Sequence, residues 1–399
     1  MHILFIAPRL PLPADTGAKI RTLNILKQVS KNYKVDFVCF SFEEEDLRHS
    51  AELEKMGVKV KLVKAPLVNF SFKLETILFN PLPFSVVKYY SPEMEEVLFS
   101  LRETTRYDIV HIDHVHMAHY QACFSGITCI LDEHNVEYKI LERCAQATRS
   151  LAEKFVYFLQ AKKMKKFEAE KISNFSDCLA VSEDDCRLLK ELPGSTTPVH
   201  VIPNGVDTRY FQTHPDKPQN SENALVFTGS MDWLPNDNAV CYFAVEILPL
   251  ILKSDPTVRF YVVGRNPSTK IKSLAAANKN ILVTGMVDDV RPFIQRSKIF
   301  VVPLRIGGGT RLKILEAMSM QKAIVSTTIG AEGIEYSPEH NIVIADKPEY
   351  FAKRTLELLA DNSRIQTLGL GGRRLVCGKY DWDIIGQKLN TIYREEAHV

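Results

Sequence analysis

Short apolar runs alternate with longer stretches of helical periodicity along nearly the whole chain. ILFIA (3–7), VDFVCF (35–40), VKVKLV (58–63), DIVHID (108–113), TCILD (128–132), CLAV (178–181) and VHVIP (199–203) form a first series. ALVFTG (224–229), VRFYVVG (258–264), ILVTG (281–285), IFVVP (299–303), AIVST (323–327) and IVIA (342–345) form a second. Each run ends near Gly, Pro, Asn or Asp and gives way to a helical pattern. Continuous apolar strands between helices indicate parallel sheet covered on both faces. Two such series predict an α/β protein of two doubly wound parallel-sheet domains.

The boundary between them is visible as a change of composition. Residues 203–223, PNGVDTRYFQTHPDKPQNSEN, are polar and rich in Pro and Asn, as linkers are. The expected division is 1–204, a linker over 205–223, a second domain over 224–378, and a terminal segment over 379–399. In SEDD, Ser182 is positioned to cap a helix with Asp185 three residues on, and Pro193-Gly194 ends it. YDWDIIGQKLNTIY (380–393) reads as a last helix with no strand after it. There is no internal repeat.

Composition narrows the function classes. The 399 residues are 45% hydrophobic and 25% charged, within the range of globular proteins. A net charge of +2 argues against nucleic acid as a partner. The opening MHILFIAPRLPLP is too short an apolar run for a signal peptide, and no stretch reaches the roughly 18 apolar residues of a spanning helix. Eight cysteines, at 39, 123, 129, 144, 178, 186, 241 and 377, form no CxxC pair. They are expected to be reduced thiols of a cytoplasmic protein. NFS at 69–71 and 174–176 is read as a chance match to a glycosylation acceptor.

Ligands of open parallel sheets bind beyond the C-terminal ends of the strands. There the segment PLRIGGGTRLKILEAMSM follows the strand IFVVP. Thr310 reads as an N-cap, Arg311 and Lys313 fall in the first helical turn, and Glu316 lies one turn on. Cations at the positive end of a helix are mildly unfavourable, so an external anion would resolve the conflict. No GxxxxGK[ST] is present, and no GxGxxG follows a strand; LGLGGRR (368–374) lies in a helical region. Backbone N–H groups and two cations suit a diphosphate, and a carboxylate nearby suits sugar hydroxyls. The alternative is a capped surface helix with Lys313 and Glu316 paired at i, i+3. Spacing alone leaves both open.

Three further features invite two readings each. Asp113, His114 and His116 are a metal cluster or a polar strand end. The stretch 154–171 groups Lys162, Lys163, Lys165 and Lys166 on a helix, either a solvated face or an interfacial one on anionic lipid. Residues 69–90, with Phe70, Phe72, Phe79, Phe84, Tyr89 and Tyr90, are core or an acceptor or membrane surface.

Five motifs stand in order: the Gly17 loop, DEHNVEY (132–138), VIPNGVDTRYF (201–211), VTGMVDDV (283–290), and EAMSMQKAIVST with GAEG (330–333). On these the chain resembles, over nearly its whole length, the retaining glycosyltransferases of family 4. The resemblance implies the GT-B fold: two Rossmann-like domains facing a central cleft, with the last helix crossing back to the first. It implies transfer of a sugar, with retention, from a nucleoside diphosphate to a glycan, lipid-linked or other cell-surface polysaccharide acceptor. The nucleotide sugar is then a co-substrate and no cofactor is needed. A nucleotide-sugar epimerase or hydrolase, or a non-catalytic nucleotide-sugar-binding scaffold, is the alternative.

Site residues follow from the same resemblance. Glu316 would hold the ribose, His134 would lie near the donor sugar, and the backbone at Gly17 would approach the diphosphate. The loop carrying Met286, Val287 and Asp288 would hold the base. Gly229, Arg265, Gly308, Gly309 and Thr310 would complete the donor site. Three departures matter. Gly308 stands where the family's first glutamate falls, Ser230 follows Gly229 where an arginine is usual, and Gly17-Ala18 replaces a double glycine. Arg311 and Lys313 are the expected substitutes for the missing diphosphate cations and are grouped with His134 as catalytic; Arg265 or Arg305 could share the role. Asp288-Asp289 is adjacent rather than Asp-x-Asp, so no metal is expected.

Overall fold

A computed structural model of the chain describes residues 1–66, 70–148, 150–213, 222–307 and 309–397. It divides into two units, Met1–Pro203 with Trp382–Val399, and Asn204–Asp381.

All thirteen apolar runs form strands. In the first unit these are β1 (His2–Ala7), β2 (Lys34–Ser41), β3 (Val58–Lys64), β4 (Ile109–Asp113), β5 (Thr128–Glu133), β6 (Asp177–Ala180) and β7 (Val199–Val201). They form one sheet in the order β3-β2-β1-β4-β5-β6-β7, every pairing parallel. The two-residue period of a strand sends alternate side chains to opposite faces. Leu4 and Ile6 of β1 enter one core while Ile3, Phe5 and Ala7 enter the other. Strand order reverses between β1 and β4, which makes the C-terminal ends of these strands the switch point.

The second unit repeats the plan with β8 (Glu222–Thr228), β9 (Arg259–Val263), β10 (Ile281–Gly285), β11 (Ser297–Val302), β12 (Ala323–Ser326) and β13 (Val343–Ile344). The order is β10-β9-β8-β11-β12-β13, again parallel throughout, with its switch between β8 and β11.

The last helix, Trp382–Glu396, belongs to the first unit. Trp382, Ile385, Leu389 and Tyr393 recur at helical spacing and share a core with Leu23 and Leu26 of the Gly17–Ser30 helix. Gln28 Nε2 donates to Asp383 Oδ1 at 3.1 Å across the same seam. Among the described residues no helix is long and apolar enough to cross a membrane.

Part of the polar stretch expected as a linker is built into the second unit. Val206 is buried, and its N–H donates to the Tyr380 carbonyl at 2.8 Å. Arg373 Nη1 donates to the carbonyls of Thr208, Phe211 and Ser319. Residues 214–221 lie outside the described residues. The glycines of LGLGGRR serve packing, inside the helix Asn362–Leu375. A Cβ on Gly369 would fall 2.1 Å from the Gln321 carbonyl oxygen, so only glycine allows this approach. Ser182 caps its helix, its Oγ accepting from the Asp185 N–H at 3.1 Å.

Candidate functional site

In the second unit the loops after β8, β9 and β11 bring three cations together. The first two loops lie in contact. Gly229 N–H donates to the Val263 carbonyl at 3.0 Å, and Met231 N–H to the Arg265 carbonyl at 2.9 Å. Gly264 has a φ of 148°, and a Cβ there would sit 1.8 Å from the Gly229 oxygen. Glycine is therefore required for the two loops to touch. Arg265 Nε donates to Ser230 Oγ at 2.8 Å, so the serine in the usual arginine position holds an arginine from the next loop.

The loop after β11 differs from expectation at its end. The helix Leu312–Ser319 has Arg311, not Thr310, at its N-cap, and no side chain caps it. Thr310 Oγ1 instead donates to the Gly333 carbonyl at 3.4 Å. Among the described residues, no side-chain cap closes the first turn. Gly309 has a φ of 73°, and Gly308 lies outside the described residues.

Lys313 does not pair with Glu316: among the described residues no ion pair joins them. Its Nζ donates to Asn236 Oδ1 at 2.8 Å and lies 3.9 Å from the centroid of the Phe227 ring. A Cβ on Gly229 would fall 2.8 Å from that Nζ, so the ammonium stands directly against the glycine loop. Asn236 Nδ2 donates to the Ser230 carbonyl at 2.8 Å, which fixes the amide that holds the lysine. Arg311 lies beside Gly307, whose Cβ would meet Nη2 at 2.6 Å. Burial, with Arg311 adding to it, brings the Lys313 ammonium down to about 7, while Glu316 opposes the shift. Burial brings the Glu316 carboxyl up to about 7, with Lys313 opposing.

The other residues expected here are placed less centrally. Arg305 is committed elsewhere: its Nε donates to Asn238 Oδ1 at 3.2 Å, and its guanidinium stacks 4.1 Å from the Tyr242 ring centroid. On the loop after β10, Met286 and Asp288 are exposed, whereas Val287 packs partly on the core. Asn236 carried no sequence signal, because its role rests on a contact 77 residues away.

The first unit gathers a separate polar cluster at the ends of β4 and β5. His134 Nε2 lies 2.6 Å from Asp113 Oδ1. Asp113 also accepts from Thr22 Oγ1 at 2.8 Å and lies 3.0 Å from His114 Nδ1. The His114 and His134 rings are 3.6 Å apart between centroids, and His114 has a φ of 73°, a conformation uncommon outside glycine. Below them the buried Asp132 takes Arg21, Nη2 to Oδ1 at 2.7 Å and Nε to Oδ2 at 3.0 Å.

The charges of this cluster follow from those contacts. Burial alone would raise Asp113, but His134 and His114 hold it well below the usual carboxylate range. Burial lowers the His134 pKa against the pull of Asp113, with His114 adding to the lowering; His114 itself is raised by Asp113 in spite of burial. A neutral His134 beside an ionised Asp113 carries its proton on Nε2, which leaves Nδ1 as an acceptor.

The histidine grouping read from the sequence needs correction. His116 turns toward Glu137, 3.9 Å away, and His134 takes its place beside Asp113 and His114. Asp113, His114 and His134 each offer a ligand atom within 4.8 Å of the others, close enough for a cation. Here Asp113 is hydrogen-bonded to both histidines and to Thr22. Gly17 is the first residue of its helix, which Thr16 caps by accepting from Lys19 N–H at 3.4 Å.

Both units resemble known proteins. Residues 15–210 match the family model "Glycosyltransferase Family 4", and residues 222–361 match "Glycosyl transferases group 1". A Klebsiella pneumoniae protein described as an uncharacterized 44.6 kDa protein in cps region is 24% identical over 95% of this chain and 96% of its own. A GDP-mannose-dependent monoacylated alpha-(1-6)-phosphatidylinositol monomannoside mannosyltransferase of Corynebacterium glutamicum is 24% identical over 54% of this chain and 61% of its own. A UDP-Gal:alpha-D-GlcNAc-diphosphoundecaprenol alpha-1,3-galactosyltransferase of Escherichia coli is 28% identical over 56% of this chain and 58% of its own. Among solved structures, Anabaena HepE in complex with UDP and glucose superposes with a TM-score of 0.71 at 14% identity, covering 99% of this chain and all of that one.

Proposed function

From the premise that both halves of this chain belong to the glycosyltransferases, with a GT-B type fold, we propose that it moves a sugar from a nucleoside-diphosphate donor to a lipid-linked or polysaccharide acceptor, with retention of configuration. The observation that carries the donor reading is the convergence of Lys313, Arg311 and Arg265 on glycine loops beside a helix end that no side chain caps.

Breaking the bond between the sugar's anomeric carbon and the diphosphate oxygen leaves its electron pair on that oxygen. Lys313, Arg311 and the first-turn N–H groups of the Leu312–Ser319 helix stabilise the charge as it forms. Because these groups are already fixed, they need little reorganisation during the reaction. Glu316 accepts hydrogen bonds from ribose hydroxyls. The loop Met286–Asp288 meets the base through its main chain. His134 Nδ1 accepts from a sugar hydroxyl. No metal is needed for charge that protein cations already balance. The relatives' names carry both GDP and UDP, so the donor panel includes both bases.

The test replaces Arg311 and Lys313 by Gln together. Charge-assisted contacts are worth about 1.5–3 kcal/mol each, so affinity for a nucleoside diphosphate falls roughly ten- to hundredfold per residue while that for the bare nucleoside barely moves. Equal affinity of variant and wild type for the diphosphate would move the phosphate site away from these loops.

A further inference from the structure

A second surface, on the first unit, is unrelated to the loops above. On the helix Leu151–Ile172 one stripe runs Leu151, Phe155, Phe158, Lys162 and Lys166, in steps of three and four residues, with Lys165 on its flank. The three apolar members are exposed by 83%, 61% and 52%. Phe79, 80% exposed, ends the neighbouring helix Phe70–Phe79. That helix end is tied to another face of the Leu151–Ile172 helix: Lys163 Nζ and the buried Gln160 Nε2 both donate to the Ile77 carbonyl, at 2.9 and 3.3 Å. Along the stripe itself the apolar tip passes directly into a basic band, with Lys162 lying 4.6 Å from the centroid of the Phe158 ring.

The band opens onto a groove of about 600 Å³ lined by Lys162, Lys165, Lys166, Glu170, Ser173 and Gly194. Its acidic member is already paired, Lys166 to Glu170 at 3.6 Å. At the helix start Glu153 is taken by Thr148 Oγ1 at 2.6 Å. At 1.5 Å per residue, the lysines stand about 6–12 Å beyond Phe158 along the helix axis.

We propose that this face docks on an anionic lipid bilayer. The aromatic tip enters the boundary between headgroups and acyl chains, and the lysines meet the lipid phosphates. Charge selects this occupant over a second copy of the chain. Two copies of this net-basic face carry like charge, whereas an anionic surface complements it. The surface lies outside the donor loops, so it stands or falls separately from the proposed reaction.

The test is co-sedimentation of the full chain with vesicles of phosphatidylcholine alone and of phosphatidylcholine with a third phosphatidylglycerol. Binding is expected to the anionic vesicles and to weaken steeply at high salt. Each of Lys162→Gln and Lys165→Gln weakens it about fivefold, the equivalent of about 1 kcal/mol per basic residue. Phe155→Ser with Phe158→Ser weakens it at least about tenfold, on the scale of burying part of two aromatic side chains. Both phenylalanines are exposed, so the melting temperature should hold and report an intact fold. Wild-type protein that stays in solution with anionic vesicles overturns the proposal. So does binding that ignores these substitutions, or self-association that Phe155→Ser with Phe158→Ser abolishes while vesicles remain unbound.

Discussion

Lys313 and Glu316 both titrate near neutrality, for opposite reasons, and this makes ligand binding a proton-linked event with a readable sign. Burial brings the lysine down to about 7 and the glutamate up to about 7. A diphosphate beside Lys313 favours the ammonium, so its binding takes up protons. At pH 8 a group with a pKa near 7 is only about one-tenth protonated, so pyrophosphate or a nucleoside diphosphate should draw in up to about 0.9 proton. Ribose hydroxyls donating to Glu316 favour the carboxylate, so a bare nucleoside should release protons instead. At pH 6 that release approaches about 0.9 proton, and at pH 8 it nearly vanishes because Glu316 is already ionised. Diphosphate affinity should accordingly fall by up to about tenfold per pH unit above 7. Calorimetric titration in two buffers of different ionisation enthalpy reads the proton count directly. Lys313→Gln should abolish the uptake and leave the nucleoside's release intact. Uptake that persists in Lys313→Gln, or diphosphate binding at pH 8 with no buffer dependence, would refute the reasoning.

Three further outcomes follow from the same contacts. The Lys313 pKa lies below that of a lysine in the unfolded chain, so its penalty is complete below pH 7 and fades as pH rises toward about 10. Lys313→Gln should therefore melt above wild type at pH 7, with the gap closing by pH 10; a lower melting temperature at pH 7 would make the lysine a structural element. Asp113→Asn removes the ionised acceptor that sets the His134 tautomer. Turnover should fall roughly ten- to hundredfold, the scale of one charged hydrogen bond, and the ¹⁵N shift of His134 Nδ1 should move toward a mixed tautomer. An unchanged shift would deny the positioning role. Transfer should continue in EDTA; its loss, with restoration by magnesium or manganese, would point to a cation held by Asp113, His114 and His134.

What could be read from the sequence was whatever depends on near neighbours along the chain. Strands such as Ile299–Val302 lie between helices on both faces, so their apolar runs are continuous and plain. The Ser182 cap needs only Asp185, three residues on. Long-range geometry was hidden. Arg21 meets Asp132 across 111 residues, and nothing in GAKIRT distinguishes that arginine from a solvated one. Asn236 matters because folding carries Lys313 to it. The Thr310 cap failed although its local spacing was correct, because the Gly333 carbonyl competes for the hydroxyl. The grouping of His134 with Asp113 and His114 was hidden for the same reason. His116 and His134 are equally plausible partners on paper, and pairing between β4 and β5 decides for His134.

The most direct test of the account is a titration of the full chain with nucleotide sugars of both bases, followed by product analysis with a lipid-linked glycan acceptor. At least one nucleoside-diphosphate sugar should bind, and at 100 times its dissociation constant should stabilise the protein by about 2.7 kcal/mol. With acceptor present, the sugar should appear on the product in its original anomeric configuration, and Arg311→Gln with Lys313→Gln should lose both binding and transfer. Absence of any nucleotide-sugar binding, or binding and transfer that the double variant leaves untouched, would contradict the account.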